Sequence, residues 1–446
     1  MTRMIKWVLS TSLLFALCGL DAQAQILNAA SCSSSAVQSA INSASTGSTV
    51  NVPAGSCSWA ASSVSISKAI TLSGAGRGAT IINVGGGNPA FTITKQTAGV
   101  IRVQGFTFSA SNNNNLPHPI VVTGSWPGGQ PVIFENNAFI LSAATMVDVA
   151  VAGGVIFANN TFTGGQNDFL LTVKDLTNTS SWTTADSFGT RDTSGTQNIY
   201  IETNTFNGGS NGILDCDDNC RVVMRYNTFI DSGGFNSHGE DSSPYGMREF
   251  EIYNNSFTFP DQTCAGGNGS LSNINQYIWL RGGTGVIFGN IMAPLYSSCW
   301  GDKPEIRLSI RGAEDDRPQG TCSQVTYPVP HQLGRNNNGA SDFTDPIYIW
   351  GNTGTPDPAG FAIEVTGGWG WGNPCGLNWN TFFQWSRDGQ NASLVLPAAL
   401  GSGGGSVEGV GGTPKPAYTP FAYPHPLISG SATTPAPPTN LTAAFN

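Results

Sequence analysis

The chain has 446 residues, of which only 11% are charged, and its formal net charge is −9 at pH 7. Phosphate binding depends on a basic face, so this acidic composition argues against nucleic acid as a partner. The 56 glycines and the scarcity of charge favour short strands and tight turns over helices.

Residues 1–24 have the pattern of a secretory signal peptide. Arg3 and Lys6 give the positive charge, an apolar stretch runs over residues 8–20, and residues 22–24 form a small-residue cleavage site. No later stretch has the roughly 20 apolar residues that a membrane span requires. We therefore expect a mature chain that starts near Gln25 and is secreted, either to the periplasm or to the extracellular medium.

Eight of the nine cysteines follow this leader, an even number that indicates four disulfides in an exported chain. The sequence cannot fix their connectivity. Pairing each cysteine with its neighbour along the chain gives Cys32 with Cys57, Cys216 with Cys220, Cys264 with Cys299 and Cys322 with Cys375.

A short amphipathic helix is predicted near the start of the mature chain. Val37, Ala40, Ile41 and Ala44 have helical spacing, which predicts a helix over residues 34–45. Residues 49–52 then begin the strands. We expect the helix to cap the first coil of the repeat that follows.

The rest of the chain repeats one unit, an apolar strand followed by Asn, one further residue and, in the clearest copies, Phe. The unit occurs at residues 132–139, 155–162, 199–206, 222–229 and 250–257, with weaker copies at 285–292 and 346–353. Its asparagines lie at positions 137, 160, 204, 227, 255, 290 and 352. We interpret the step of 23 residues as one coil, the step of 44 as two coils, and the other steps as coils that carry loops.

This period predicts an all-β solenoid, a right-handed parallel β-helix with an N-terminal capping helix. The asparagines should bond to one another along the turn, and five phenylalanines should stack inside: Phe139, Phe162, Phe206, Phe229 and Phe257. A β-propeller needs about 40 residues per blade, and a leucine-rich repeat needs a leucine framework that this sequence lacks.

The opening segment, residues 36–59 (AVQSAINSASTGSTVNVPAGSCSW), resembles the start of many pectin-lyase-like proteins. That superfamily includes pectate lyases and polygalacturonases, and the resemblance in pattern covers residues 30–390. It implies a parallel β-helix and a polysaccharide substrate. The resulting division is a signal peptide at 1–24, an N-terminal cap at 25–60, the β-helix at 61–394 and a Gly/Pro/Ser-rich tail, interpreted as a linker, at 395–446.

Counting from the repeated asparagines predicts a row of charged side chains on one outer strand face. Asp215 and His238 each lie 11 residues after their own asparagine, and two later strands continue the register. The row is predicted to be Asp215, His238, Arg281 and Arg311, about 14 Å long. Leu214, Ser237, Leu280 and Ile310 should face inward, and Asp217 and Glu240 should flank the row on its own face. The predicted substrate-binding residues are Tyr277, Trp279, Glu240 and Asp241.

This row is interpreted either as a solvated charge ladder or as a polysaccharide cleft. Two neighbouring arginines repel each other unless something anionic covers them, and exposed Trp279 and Tyr277 would be costly without a ligand. Aromatic rings beside charged groups suit a sugar chain, because sugar faces stack on rings while hydroxyls and carboxylates accept hydrogen bonds. We therefore favour an acidic polysaccharide as the partner, bound by a monomer.

Two chemistries fit the row, and we expect a lyase that acts by β-elimination, with inverting hydrolysis as the alternative. In β-elimination, Arg281 and Arg311 would neutralise a uronate carboxylate and His238 would remove the acidified C5 proton. In inverting hydrolysis, Asp215 and Asp217 would act as a carboxylate pair about 7 Å apart. The order of Asp217, Asp218 and His238-Gly239 resembles polygalacturonases, which implies hydrolysis, but the other motifs of that family are missing here.

Two further possibilities remain open from the sequence. Glu314, Asp315 and Asp316 form an acidic loop that could hold calcium, so the predicted cofactor is either none or calcium. A non-catalytic glycan-binding or adhesin-like β-helix would keep the stacked phenylalanines and asparagines but would not need His238 between Asp215 and Arg281.

Overall fold

The computed structural model describes residues 23–59, 62–85, 89–96, 98–110, 119–124, 130–141, 147–149, 153–164, 171–173, 194–208, 214–216, 220–237, 247–260, 276–297, 301–309, 333–337, 342–355, 361–366, 385–386, 394–398 and 405–428. Within these ranges, three long sheets have 13, 10 and 11 strands. The chain passes through sheet 1, sheet 2 and sheet 3 in turn, so each strand pairs with the strand one coil away. The fold is the predicted right-handed parallel β-helix.

Sheet 1 has 13 strands among the described residues: Ile26–Asn28, Thr49–Val52, Thr71–Gly74, Ile101–Gln104, Val132–Glu135, Val155–Ala158, Ile199–Glu202, Arg221–Arg225, Glu249–Tyr253, Thr284–Phe288, Ile347–Trp350, Trp385–Ser386 and Leu394–Val395. The ten described strands of sheet 2 are Gly55–Ser58, Thr80–Val84, Thr107–Ala110, Ala138–Leu141, Thr161–Thr163, Thr205–Asn207, Thr228–Ile230, Ser256–Thr258, Ile291–Met292 and Thr353–Gly354.

Sheet 3 has 11 described strands: Val64–Ile66, Phe91–Thr94, Ile120–Thr123, Val147–Val149, Leu171–Val173, Leu214–Cys216, Phe235–Ser237, Ile278–Leu280, Ile306–Ser309, Ala362–Thr366 and Gly405–Glu408. Only the last of these is antiparallel to its neighbour. Two described hairpins project from the coils, Leu295–Ser297 with Gly301–Lys303 and Arg335–Asn337 with Asp342–Thr344.

The interior is built from in-register stacks of apolar side chains. In sheet 2, the ring centroids of successive phenylalanines lie 4.6 to 4.8 Å apart from Phe139 through Phe162, Phe206 and Phe229 to Phe257. These rings are fully buried. Parallel in-register pairing puts identical residues about 4.8 Å apart, which is also the distance at which offset aromatic rings stack. The predicted phenylalanine ladder is therefore confirmed.

The turn between sheets 1 and 2 contains the predicted asparagine ladder. The Oδ1 of Asn137 accepts the backbone N–H of Phe106. From Asn160 to Asn352, each asparagine Oδ1 accepts both the backbone N–H and the side-chain amide of the asparagine one coil earlier. Asn204 shows the pattern, since its Oδ1 accepts from Asn160 and its backbone N–H donates to Asn227 at 2.9 Å. The preceding residue has a positive φ, as at Thr203 and Tyr226, whose values are 59° and 55°. Side chains other than glycine resist that conformation, so the buried amide bonds must offset its cost.

The ladder also corrects one step of the repeat. Asn160 bonds directly to Asn204, and Val155 pairs with Ile199, so the 44-residue step is one coil and not two. The extra length follows the sheet 3 strand Leu171–Val173, before the chain re-enters sheet 1 at Ile199. Long connections are accommodated between strands because the ladder restores the register at each turn.

The N-terminal cap is a helix over Ser34–Ser43, two residues shorter than predicted, with the Ser33 hydroxyl accepting a hydrogen bond from the Ala36 N–H. Its buried face of Val37, Ala40 and Ile41 covers the open end of the core, and Ala44 is buried beside it. The first strand of sheet 1, Ile26–Asn28, precedes the helix, so the coils begin within the predicted cap.

Two of the predicted disulfides, Cys32–Cys57 and Cys216–Cys220, are formed. Both are compatible with export to an oxidising compartment. The other four mature cysteines and residues 1–22 of the predicted signal peptide lie outside the described residues. No described helix is long and apolar enough to cross a membrane.

The interpretation of residues 395–446 as a linker is wrong for the part that the structure describes. Gly405–Glu408 extends sheet 3, and residues 411–428 pack along the outer face of sheet 1. The composition misleads because proline and glycine prevent regular structure without preventing docking. The rest of the predicted domain division stays a prediction.

We expect the asparagine ladder to contribute strongly to stability. Asn204→Ala leaves the backbone N–H of Asn160 without its acceptor in a buried turn, so the free energy of unfolding should fall by about 2 to 4 kcal/mol. Asn207→Ala is the matched control, because Asn207 is exposed, and it should change stability by less than about 0.5 kcal/mol. Urea unfolding measures both, and equal losses would contradict the structural role of the ladder.

Candidate functional site

The outer face of sheet 3 presents one outward residue per coil in a continuous line, which we call the outer column. Strand pairing gives its order as Ser65, Thr92, Val121, Asp148, Thr172, Asp215, Asn236, Trp279, Arg307 and Glu364. Successive members are about 4.8 Å apart along the axis. The ionisable and aromatic side chains concentrate toward the C-terminal end, so the chemistry of this face lies there.

The predicted register of the charged row is wrong. Asp215 pairs with Asn236 and not with His238, and Trp279, not Arg281, continues the column. The cause is turn length, because residues 208–213 connect sheet 2 to sheet 3 in one coil and residues 231–234 do so in the next. Counting from the asparagine therefore shifts the later coil by two residues. The same shift pairs Leu214 with Phe235, while Ser237 pairs with Cys216.

Arg281 follows the strand Ile278–Leu280, and its side chain is 4% exposed. Its Nε donates to the Ser237 backbone oxygen at 2.6 Å, and its Nη2 donates to the Asn236 Oδ1 at 3.1 Å. The Arg281 backbone N–H donates to the Ser237 hydroxyl at 2.9 Å. Its guanidinium carbon lies 4.2 Å from the ring centroid of Trp279. Hydrogen bonds and a ring together hold this guanidinium in one orientation beside the outer column.

Trp279 supports arginines, and it is not the exposed sugar platform that the sequence predicts. Its side chain is 5% exposed, and its indole N–H donates to the Ser309 hydroxyl at 2.9 Å. The Arg281 guanidinium lies over the ring, and the Arg307 guanidinium carbon is 5.8 Å from the same centroid. An aromatic ring attracts a cation through its π-electron face, so Trp279 brings two positive charges to one place.

Tyr277 does not face outward as predicted. It is fully buried in the core, with its ring centroid 4.9 Å from that of Phe257, and burial raises the pKa of its phenol above its usual value. The physical reason is that Tyr277 lies in the turn before the strand, where its backbone bonds to Glu305 and Phe235. The alternation of a strand therefore does not extend to it, and it cannot contact a substrate at the outer face.

The other charged members of this region already have partners. The Arg307 Nε donates to Glu364 at 2.7 Å, and the two side chains are 11% and 29% exposed. Arg307 also donates to the Gln276 side-chain oxygen at 3.3 Å. Asp215 is 6% exposed, between Thr172 and Asn236 in the outer column. Its carboxyl group therefore lies near the outer face but is largely shielded from solvent.

Several predicted site residues lie outside the described residues, and their roles stay predictions: Asp217, His238, Glu240, Asp241, Arg311, Glu314, Asp315 and Asp316. His238 follows Ser237 directly in sequence. The described part of the chain contains no group of three or more His, Cys, Asp or Glu side chains that could hold a metal ion. The predicted calcium-binding loop, with Glu314, Asp315 and Asp316, lies outside the described residues, so its calcium binding stays a prediction.

The sequence did not indicate Asn236, Ser237, Arg307 or Ser309 as members of the site. Their positions become visible when the strands of sheet 3 are aligned on the inward apolar residues, Phe235, Ile278 and Ile306, which pair directly. That alignment places Asn236, Trp279 and Arg307 in one line without any assumption about turn length. The core residues were thus a better guide to register than the distance from the asparagine ladder.

No protein-family model and no curated relative matches the chain. Among solved structures, it is similar to the alginate lyase from Paenibacillus sp. str. FPU-7, with 12% identity and a TM-score of 0.38, over 77% of this chain and 99% of that one. It is also similar to a mutant of the PL6 family alginate lyase AlyGC, with 16% identity and a TM-score of 0.33, over 77% and 53%. The A-module of the Azotobacter vinelandii mannuronan C-5 epimerase AlgE6 gives 14% identity and a TM-score of 0.35, over 75% and 89%. Likeness at this level carries no argument about the site.

The support of Trp279 by Ser309 can be tested through stability. Ser309→Ala leaves the buried indole N–H without its acceptor, so the free energy of unfolding should fall by about 1 to 3 kcal/mol. Ser65→Ala is the matched control, because Ser65 is exposed in the same outer column. It should stay within about 0.5 kcal/mol of the parent. Equal losses of unfolding free energy in the two variants, measured by urea unfolding, would show that the hydrogen bond from the Trp279 indole to Ser309 does not contribute to stability.

Proposed function

We propose that the protein is a secreted polysaccharide lyase that cuts a uronic-acid-containing glycan by β-elimination along the outer face of sheet 3. The observation that carries this proposal is the fixed orientation of the Arg281 guanidinium. It is held by Ser237, Asn236 and the ring of Trp279. An anchored guanidinium pays little ordering entropy when a carboxylate arrives, so it suits the recognition of an acidic sugar.

The shape of the face suits an extended polymer. The 11 described strands of sheet 3, at about 4.8 Å each, make a surface roughly 50 Å long. Uncharged side chains occupy most of the outer column up to Thr172, and the charged and aromatic residues follow from Asp215 to Glu364. We infer that sugars bind along the column and that the reacting unit lies at its charged end.

In the proposed β-elimination, Arg281 and His238 each have one role. Arg281 neutralises the uronate carboxylate, which makes the proton on C5 more acidic. His238 takes that proton as the general base, and the electron pair forms the C4–C5 double bond as the C4–O4 bond breaks. The leaving oxygen then acquires a proton from an acid or from water. His238 is proposed from the sequence, in which it follows Ser237, the residue whose carbonyl oxygen accepts the Arg281 Nε–H.

Inverting hydrolysis remains the alternative chemistry, and a non-catalytic glycan binder remains the alternative class. Hydrolysis would need Asp215 together with Asp217, and burial does not separate the two chemistries, because Asp215 is 6% exposed and Arg281 is 4% exposed. No contact of the described residues favours either alternative over elimination. Both are therefore outcomes of the assay that tests the proposal.

The assay incubates the purified protein with a panel of acidic and neutral glycans and records absorbance at about 235 nm, where the unsaturated product of elimination absorbs. Reducing ends are measured in the same samples. Elimination predicts both signals on an acidic glycan. New reducing ends without absorbance would indicate a hydrolase instead of a lyase. Glycan binding without either signal would indicate a non-catalytic glycan-binding protein.

Substitutions of His238, Arg281 and Asp215 test the proposed roles of these residues separately. His238→Ala should lower turnover of an acidic glycan by about 10²- to 10⁴-fold, as expected for loss of a general base. Arg281→Lys keeps the charge but loses the planar guanidinium, so kcat/KM should fall by about tenfold or more. The control Arg77→Lys changes an exposed arginine of the first coils and should leave turnover unchanged. A greater loss with Asp215→Asn than with Arg281→Lys would favour hydrolysis.

A further inference from the structure

The strap, defined as residues 411–428, crosses the outer face of sheet 1 without forming a strand there. It contains five prolines, at positions 414, 416, 420, 424 and 426, and follows a glycine-rich stretch. Its bonding partners are far away in sequence, since the carbonyl oxygen of Phe421 accepts from Arg225, 196 residues earlier. Proline reduces the conformational freedom that the strap loses on docking, so a proline-rich segment can dock at low entropic cost.

An apolar and aromatic surface lies beneath the strap. Phe421 and Ile428 pack against a buried cluster that faces away from the core: Ile133, Ile156, Ala158, Tyr200, Val223 and Tyr253. Further along, Tyr418 meets the stacked rings of Phe288 and Trp350 edge-on, with centroids 5.7 and 6.1 Å away. Without the strap this face would expose a large apolar patch, which is costly in water.

A buried ion pair anchors the strap. Arg225 and Glu202, whose side chains are 0% and 1% exposed, pair at 2.7 Å. The two Nη atoms of Arg225 donate at 2.7 Å to the carbonyl oxygens of Phe421 and Ala422. The second oxygen of Glu202 accepts the backbone N–H of His425 at 2.8 Å. Both partners of the ion pair therefore hold strap backbone, and the strap in turn keeps the pair from water.

We propose that His425 makes this strap acid-sensitive, docked while the imidazole is neutral and released when it is protonated. The Nδ1 of His425 accepts the backbone N–H of Leu427 at 3.2 Å, and an imidazolium has no lone pair with which to accept. The ring packs edge-on against Tyr200, with centroids 4.6 Å apart. The end of the strap is also held by Arg102, which donates to the Leu427 carbonyl oxygen at 2.6 Å, and by the Ile428 N–H, which donates to the His425 carbonyl oxygen at 2.8 Å. Protonation would therefore break one of three bonds at this end of the strap and would place a second cation beside Arg225.

The groups that face His425 determine the direction of the effect. Arg225 and Tyr200 approach from sheet 1, Glu202 bonds its backbone, and Tyr423 precedes it on the strap, with its ring stacked on Tyr226. Burial, and then the charge of Arg225, lower the pKa of His425 from 6.5 to about 4. Because the docked pKa lies below the free value, docking has its full strength above pH 6.5 and weakens as the pH falls toward 4.

Hydrogen exchange of the full chain tests the proposal, with exchange rates corrected for the intrinsic effect of pH. Between pH 6.5 and 4.5, the opening constant of residues 411–428 should rise about 40-fold in total, because release takes up as much as one proton when docking lowers the pKa of His425 from 6.5 to about 4. The sheet 1 strand over residues 199–202 serves as the internal reference and should show no such rise until the coils themselves open.

The matched variant is His425→Asn, whose Oδ1 occupies nearly the position of Nδ1 and accepts a hydrogen bond without titrating. Its strap should stay protected at pH 6.5 and should not show the roughly 40-fold rise of the opening constant at pH 4.5, while Glu202 and Arg225 remain in place. An equal slope in the parent and the variant would assign the pH effect to Glu202 or another carboxylate and overturn the proposal. A parent strap whose opening constant does not change between pH 6.5 and 4.5 would also overturn it.

Discussion

From Asn137 to Asn352, each described coil is held against the next by an asparagine that lies inside the turn. Its side-chain oxygen accepts the N–H of the asparagine one coil earlier, and its own amide donates to a strand carbonyl, as Asn204 does to Phe157. These bonds are buried, so a slip of one residue would leave several polar groups unsatisfied at once. The ladder therefore fixes the register of three sheets, and connections of very different length can lie between its rungs.

Fixed register gives the outer surfaces their chemistry. In sheet 3 it aligns Asn236, Trp279 and Arg307, so that Arg281 can be held by residues from two strands. In sheet 1 it aligns Glu202 with Arg225, and the strap bonds to both. Each of these arrangements joins residues that are distant in sequence. The same stacking that builds the core thus supplies one face for a charged site and another for the strap.

The repeat was sufficient to predict the coil, the phenylalanine stack and the asparagine ladder, because each is a local pattern copied at every turn. The charged row was predicted in the wrong register because turn length differs between coils. The strand partner of Asp215 is Asn236 and not His238. Tyr277 was misplaced since a turn residue does not follow strand alternation. The strap could not be predicted at all, because its composition resembles a linker and its contacts span about 200 residues.

Register across the 44-residue step, from Asn160 to Asn204, can be measured by disulfide trapping. Thr163 and Asn207 are exposed, 44 residues apart, and directly paired in sheet 2. With Thr163→Cys and Asn207→Cys, the Cα atoms should lie about 4.8 Å apart, within reach of a disulfide, and oxidation should give a cross-linked peptide in mass spectrometry. With Thr163→Cys and Thr205→Cys the separation is about 8 Å, beyond that reach. Efficient cross-linking of the first pair alone is the predicted result, and preferential cross-linking of the second pair would contradict the register.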